Sequence, residues 1–223
     1  MSLIVNIDTA TETAHVSFSN NGIVVQSLTN ELQKGHAAFL QTAIQQLTKS
    51  TAISLKDIDA VAVTAGPGSY TGLRVGMASA KGLCYALNKP LLTLNTLEVL
   101  TVAVQQQSNH SKEILFCPMI DARRMEVFTA LYNDQLTAVL LPCAMILEQN
   151  SFLNQLDKQP VSFFGSGSIK WKAICRHSNA SFTVISNLPT AMAGLSNTYF
   201  IKKDFANLAY SEPFYLKEFQ DKI

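Results

Sequence analysis

Residues 59–64, Asp-Ala-Val-Ala-Val-Thr, form an apolar run without alternation, followed at once by the turn Ala65-Gly66-Pro67-Gly68 and by helical periodicity from Thr71. A strand that alternates can leave one face in water, whereas an unbroken apolar strand has both faces covered. Helices on both sides of a mainly parallel sheet meet that requirement, so this stretch alone predicts an α/β fold.

The rest of the chain extends the pattern. Residues 3–8, 13–19 and 22–28 are short, rich in Val, Ile, Thr and Phe, and separated by turn formers such as Asn20-Asn21-Gly22, which predicts three strands with a hairpin between the last two. Phe39, Leu40, Ala43, Ile44 and Leu47 recur at helical spacing and predict a helix over 36–49. A helix over 71–88, a strand over 91–94 and a helix over 96–107 follow, giving the order βββαβαβα. The second half repeats it: strands over 113–120, 125–132 and 135–141, helical turns over 143–157, a strand over 161–164, a helix over 168–176, a strand over 182–185 and a helix over 190–206. Ile7-Asp8 and Ile120-Asp121 open the two halves alike. Two related lobes are expected, 1–108 and 109–223, joined where Gln, Ser and Asn cluster over 107–112.

Composition sets limits. With 48% hydrophobic residues in 223 the chain can fill a core, and a net charge of +1 supplies no broad field toward nucleic acid or an anionic membrane. The apolar start of the chain is broken by Asp8 and lacks a basic flank, so no signal peptide and no membrane span are expected, and the address is cytoplasmic. Cys84, Cys117, Cys143 and Cys175 stand 26 to 33 residues apart without Cys-x-x-Cys pairs, which reads as reduced, buried thiols rather than a metal or disulfide framework.

The glycine turn fits neither common phosphate motif. A Walker loop counted from Gly66 places Thr71 and Gly72 where glycine and lysine are needed, and the dinucleotide fingerprint counted from Gly66 and Gly68 meets Thr71 at its third position. A helix N-terminus near Thr71 still offers N–H groups to an anion; a tight turn capped by Ser69 or Thr71 is the plainer reading. On a wheel of about 100° per residue, Arg74, Lys81, Tyr85 and Asn88 share one arc of the following helix. Leu73, Met77 and Cys84 lie beside it, with Val75, Leu83, Ala86 and Leu87 opposite. That is more apolar surface than one sheet needs, and it predicts burial on two sides, the second against a helix of this chain or of a partner.

The segments "NIDTATETAHVSF", "TAGPGSYTGLRVGMASAKGLCYALNKPLLTLNTLEVL", "MIDARRMEVF" and "PFYLKEF" resemble, in order and spacing, the bacterial TsaB (YeaZ) family, which takes part in making the threonylcarbamoyl modification of adenosine 37 in tRNA. The resemblance implies an ASKHA (actin-like ATPase) α/β fold of two RNase H-like lobes. It implies a non-catalytic partner of TsaD, the subunit that transfers threonylcarbamoyl from its adenylate to tRNA. TsaE as an additional ATPase, TsaC as adenylate supplier, and tRNA met through the complex complete the expected set. ATP and a divalent metal are expected on those partner subunits, and a homodimer of this chain when TsaD is absent. The expected interface lies on the helices over 36–49 and 71–88, at Phe39, Ala43, Leu73, Met77, Lys81 and Cys84.

The same resemblance weighs against independent catalysis. The TsaD family's metal-binding H-x-x-x-H pair falls on Thr96 and Leu100, which are not imidazoles. His36, in "KGHAAFL", resembles the TsaB family's own R-x-H-S segment, with Lys34 and Ala37 departing from it, and reads as structural or interfacial. A degenerate nucleotide site would draw on Asp8 and Thr9 at the first strand end, on Gly66 and Gly68, and on Gly165 and Gly167 in the second lobe. That set carries the alternative of a nucleotide-dependent enzyme, although "DTATET" brings no lysine to a phosphate. A peptidase acting on TsaD is the third reading; Ser69 lacks a nucleophile-elbow context. Asp121-Ala122-Arg123 matches the family's D-A-R segment, as an ion-pair cluster or a docking surface. Lys170-Trp171-Lys172 with Arg176 and His177 is the densest basic spot, either an RNA contact or a solvated face with Trp171 turned inward.

Overall fold

The computed structural model describes residues 2–31, 35–107 and 113–217. Its contacts divide the chain into two compact units, Met1–Thr96 with Pro189–Tyr215 and Leu97–Leu188 with Leu216–Ile223.

In the first unit, β1 (Leu3–Asp8), β2 (Ala14–Asn20) and β3 (Ile23–Asn30) form an antiparallel meander, and β4 (Ala60–Gly66) and β5 (Leu91–Asn95) add in parallel on the other side of β1. The sheet order is β3-β2-β1-β4-β5. Asn21 and Gly22 both take positive φ, 50° and 80°, which is what a two-residue hairpin turn requires of the Asn-Gly pair. The helices α1 (His36–Thr51) and α2 (Tyr70–Leu87) connect the strands and cover one core. Leu40, Ala43, Ile44 and Leu47 of α1 and Met77, Ala80 and Cys84 of α2 pack with Val5, Ile7, Val61 and Val63. Each fully buried Leu or Ile there stabilises by roughly 1.5–3 kcal/mol.

The second unit holds α3 (Thr96–Gln105), β6 (Leu115–Asp121), β7 (Glu126–Tyr132), β8 (Ala138–Ile146), α4 (Leu153–Leu156), β9 (Val161–Phe164), α5 (Ser168–Ile174) and β10 (Ala180–Thr183). Its sheet order, β10-β9-β6-β7-β8, is the first unit's order strand for strand. The last helix, α6 (Leu188–Lys202), lies for all but its first residue with the first unit.

Strand β8 begins at Ala138 rather than 135 and α6 ends at Lys202 rather than 206, and three further details depart from the sequence reading. The stretch 143–146 is strand, not helical turn, because β8 continues to pair with β7 as far as Glu126–Ile146. Strand β10 begins at Ala180, two residues earlier than predicted. The predicted boundary between residues 108 and 109 lies outside the described residues; the contacts group α3 with the second unit and 189–215 with the first. The reason is packing. Leu97, Leu100 and Val104 of α3 join Phe116, Ile120 and Ala130 in a core of the second unit, while Ala191, Met192, Ala193 and Leu195 of α6 are buried.

Candidate functional site

The strand-end carboxylate is held inside the first unit. Asp8 is buried, and its Oδ1 accepts hydrogen bonds from Thr64 Oγ1 at 2.8 Å and from the Ala10 amide at 3.0 Å. Across the sheet it stands opposite His15. The His15 ring meets Thr13 Oγ1 at 3.2 Å and Thr29 Oγ1 at 3.0 Å, and burial pushes its imidazole down against the opposing pull of Asp8.

Thr9, Gly66 and Gly68 come together with this carboxylate, but as packing partners of one another. The amide of Ser69 donates to the Ala10 carbonyl at 2.7 Å, and the Thr9 hydroxyl donates to the Gly72 carbonyl at 2.7 Å. A Cβ at Gly68 would strike the Ala10 carbonyl, and one at Gly66 would strike the Phe214 carbonyl. At Gly66 and Gly68 backbone of the same unit leaves no room for a side chain. Ser69 caps α2, accepting from the Gly72 amide at 3.3 Å. The glycines serve close approach of one chain segment to another.

The surface of α2 is divided in three. Gly72, Leu73, Gly76, Met77, Ala80 and Cys84 are buried toward the sheet. The second side, holding Arg74 and Lys81, grips a C-terminal strap of residues 206–215 that runs antiparallel to the helix. Lys81 Nζ donates to the Ser211 and Ala209 carbonyls at 2.9 and 3.2 Å, Arg74 Nε donates to Tyr215 Oη at 3.1 Å, and the Phe214 amide donates to the Ala65 carbonyl at 2.6 Å. At the far end the Ala206 amide reaches the Leu91 carbonyl at 2.9 Å. The third side, Thr71, Ala78, Gly82, Tyr85 and Ala86, is exposed.

This division corrects the list of interface residues. Ala43, Leu73, Met77 and Cys84 are at most 3% exposed, in the core of their own unit, and burial pushes the Cys84 thiol up to about 11. Phe39 and Lys81 are half-buried, Phe39 against the same core and Lys81 on the strap. The wheel identified more apolar surface than one sheet needs, and the residues expected at the interface lie on the side that the first unit's own core covers. The strap was missed; two cations on α2 with no acidic residue anywhere in the helix were its signal.

In the second unit, Gly165 and Gly167 are also packed closely on their own unit, but on Met119 inside β6 rather than on the loop after the strand. The Gly167 amide donates to the Met119 carbonyl at 3.0 Å, and a Cβ at Gly165 would strike that same carbonyl. Asp121, unlike Asp8, is exposed: its Oδ1 accepts from Lys170 Nζ at 2.7 Å and from the Arg123 amide at 2.6 Å. Three residues past the D-A-R segment, Glu126 pairs with Lys217 at 2.8 Å. Trp171 is fully buried among Phe152 and Phe163 with ring centroids 5.6 and 5.8 Å away. It cannot stack on a base. Lys172 lies over the Phe182 ring, and His177 pairs with Asp157 at 3.3 Å.

His36 is buried at the start of α1 with Nε2 3.3 Å from the Thr11 carbonyl; Lys34 lies outside the described residues. Thr96 and Leu100 are buried, Leu100 in the core around α3. No helix among the described residues is long and apolar enough to cross a membrane.

Against known proteins, a family model described as TsaD, tRNA N6-adenosine threonylcarbamoyltransferase, matches residues 13–211. The chain is 30% identical over 166 residues to the tRNA threonylcarbamoyladenosine biosynthesis protein TsaB of Bacillus subtilis (strain 168), across 73% of this chain and 70% of that protein. The solved structure of YeaZ from Pseudomonas aeruginosa superposes with a TM-score of 0.79 at 25% identity, over 97% of this chain and 100% of that one. An inorganic polyphosphate/ATP-glucomannokinase from Arthrobacter sp. strain KM superposes with a TM-score of 0.51 at 10% identity, over 91% of this chain and 100% of that one. At that identity the likeness concerns the fold, which is the actin-like (ASKHA) α/β fold of two RNase H-like lobes.

Proposed function

The chain belongs to the TsaB (YeaZ) family, and from that membership we propose that it is an accessory, non-catalytic subunit in threonylcarbamoylation of adenosine 37 of tRNA, docking on TsaD through the outward faces of α1 and α2. The carrying observation is the chemistry of those faces. A surface in water ordinarily has charged residues at about 25–35% of its positions. Between Ala37 and Thr48 neither Asp, Glu, Lys nor Arg occurs, and between Thr71 and Ala86 the one exposed charge is Arg74. Small side chains at Ala38, Ala78 and Gly82 allow a partner helix to approach closely. A surface with so little to hold water is suited to burial in a complex.

The lack of a lysine in "DTATET" and of imidazoles at Thr96 and Leu100 supports assigning chemistry to the partners: ATP and the divalent metal to TsaD and TsaE, the adenylate to TsaC, and tRNA to the assembled complex in the cytoplasm. In the absence of TsaD the same faces bring two copies of this chain together.

Ala78→Glu places a charge in the middle of the face without touching the core. It should reduce binding of the cognate TsaD at least about 100-fold, about 2.7 kcal/mol, and abolish reconstituted tRNA modification, with folding stability within about 0.5 kcal/mol of wild type. Ile169→Glu, on the exposed side of α5, should leave both unchanged. Undiminished TsaD binding by the Ala78→Glu protein would count against this docking face, and ATP turnover by the purified chain would favour the nucleotide-dependent enzyme instead.

A further inference from the structure

We propose that Arg123 and Arg124, at the tip of the hairpin between β6 and β7, contact the phosphate backbone of the tRNA that the complex modifies. The inference rests on the reading above, which brings tRNA to the assembled complex, and assigns residues of this chain to that contact.

The tip has a backbone that ordinary side chains avoid. Arg123 and Arg124 take φ of 73° and 50°, in the left-handed region. The tight hairpin of the first unit gives comparable angles to Asn21 and Gly22, the residue types that such positions favour. Here two arginines occupy them, and hydrogen bonds fix the geometry. The Arg123 amide donates to Asp121 Oδ1 at 2.6 Å, the Glu126 amide to the Arg123 carbonyl at 3.0 Å, and the Ala122 amide to the Glu126 carbonyl at 3.1 Å. Both arginines are exposed, and no ion pair engages either one among the described residues. A strained backbone that presents two unengaged guanidiniums points to a ligand outside the chain.

Charge is the second observation. Asp121 and Glu126, the carboxylates beside the tip, already accept from Lys170 at 2.7 Å and from Lys217 at 2.8 Å, so the two guanidiniums stand in excess. The whole chain carries only +1. In the first unit the loop after the first strand, residues 9–13, holds Glu12 and no cation, so this charge is not a requirement of the fold. Adjacent guanidiniums repel one another, and a ligand that answers both must bring two negative charges close together. A nucleic acid strand carries a charge at every nucleotide, whereas a folded protein has to hold two carboxylates side by side against their own repulsion. Phosphate oxygens accept parallel N–H donors from arginine, and such contacts position a nucleic acid without reading its sequence. A tRNA substrate class, rather than one anticodon, is the matching ligand.

Replacing the tip by the residues its angles favour separates ligand from fold. Arg123→Gly combined with Arg124→Asn suits the two φ values and removes both charges, so its urea midpoint should equal or exceed that of wild type. In the complex reconstituted with the cognate TsaD and TsaE, binding of an unmodified tRNA transcript should weaken about 10-fold near about 0.1 M salt. The slope of log affinity against log salt should become shallower by about 1.5, the loss of two phosphate contacts at about 0.7–0.9 each. A merely structural role would leave that slope in place. Arg123→Lys with Arg124→Lys should recover most of it, since an ammonium still meets a phosphate as a point charge. Lys158→Gln with Lys172→Gln, two exposed lysines elsewhere in the second unit, should change neither affinity nor slope. Wild-type affinity and slope in the Gly/Asn variant, or an equal loss in the lysine control, would overturn the proposal. So would a fall in TsaD, TsaE or self-association of that variant that accounts for its loss of tRNA, because the tip would then meet protein. The two readings fail separately: Ala78→Glu acts on assembly, and the hairpin variant acts on tRNA binding by a complex that assembles as wild type does.

Discussion

The two units share a plan and differ in what they build on it. Each has five strands in the same order, an aspartate ending the first strand, and a glycine turn before the helix that follows its fourth strand, α2 or α5. In both, the turn is pressed on nearby backbone: Gly68 on Ala10, Gly165 on Met119. The differences lie in the helices. Those of the first unit run 16 and 18 residues, while their counterparts α4 and α5 have 4 and 7. The second unit also places ion pairs, Asp121–Lys170 and Glu126–Lys217, around the first hairpin, where the first unit buries Asp8. Features common to both units are requirements of the fold, and a function specific to this chain is better sought where the units diverge, on α1 and α2.

The largest test of that comparison is at the glycine turns. Gly68→Ala and Gly165→Ala should each cost about 3 kcal/mol, because the new methyl meets a carbonyl in a backbone that cannot move aside cheaply; Gly165 adds a φ of 91° that alanine resists. Urea unfolding of the two variants checks this. A Gly68→Ala protein as stable as wild type would mean that the first turn does not press on Ala10 and that the two units differ there.

A smaller difference should separate the two aspartates. Thr64→Val removes a hydroxyl donor from a buried carboxylate and should cost about 1.5–3 kcal/mol. Lys170→Met removes a partner from the exposed Asp121 and should cost less than about 1 kcal/mol. Equal losses would erase the contrast between a structural carboxylate in one unit and a surface ion pair in the other.

What was legible in the sequence was whatever depends on local pattern. The unbroken run at Ala60–Val63, the Asn21-Gly22 turn and the spacing of Leu40, Ala43, Ile44 and Leu47 each specify their element through burial or dihedral preference, and the repeat shows that the two halves share an order of elements along the chain. Trp171 turned inward follows from its size and apolar body. Contacts between segments distant in sequence were not legible. The wheel placed Leu73, Met77 and Cys84 together, but which side of α2 faces the sheet depends on Thr9, Val63 and a strap more than 120 residues further on. The strand end at 143–146 was lost for a related reason: Cys143-Ala144-Met145-Ile146 is apolar throughout, and pairing with β7 rather than any period decides its conformation.

The subtlest divergence between the units is a matter of protons. Asp8 pairs across its sheet with His15, whereas Asp121 pairs with Val127. Burial holds the His15 imidazole below its ordinary value, so below about pH 6.5 the unfolded chain binds a proton that the native first unit resists. Stability from this source is therefore complete above pH 6.5 and declines as the pH falls through the lowered native value. His15→Gln lacks the titrating ring, and its unfolding midpoint in urea should fall less than that of wild type between pH 7.5 and pH 5. The chain's single tryptophan, Trp171, reports on the second unit and the buried Cys84 thiol on the first, so fluorescence and thiol labelling follow the two separately. The difference between wild type and His15→Gln belongs in the labelling signal. If it shows equally in the fluorescence, the proton is felt by the whole chain rather than by the first unit.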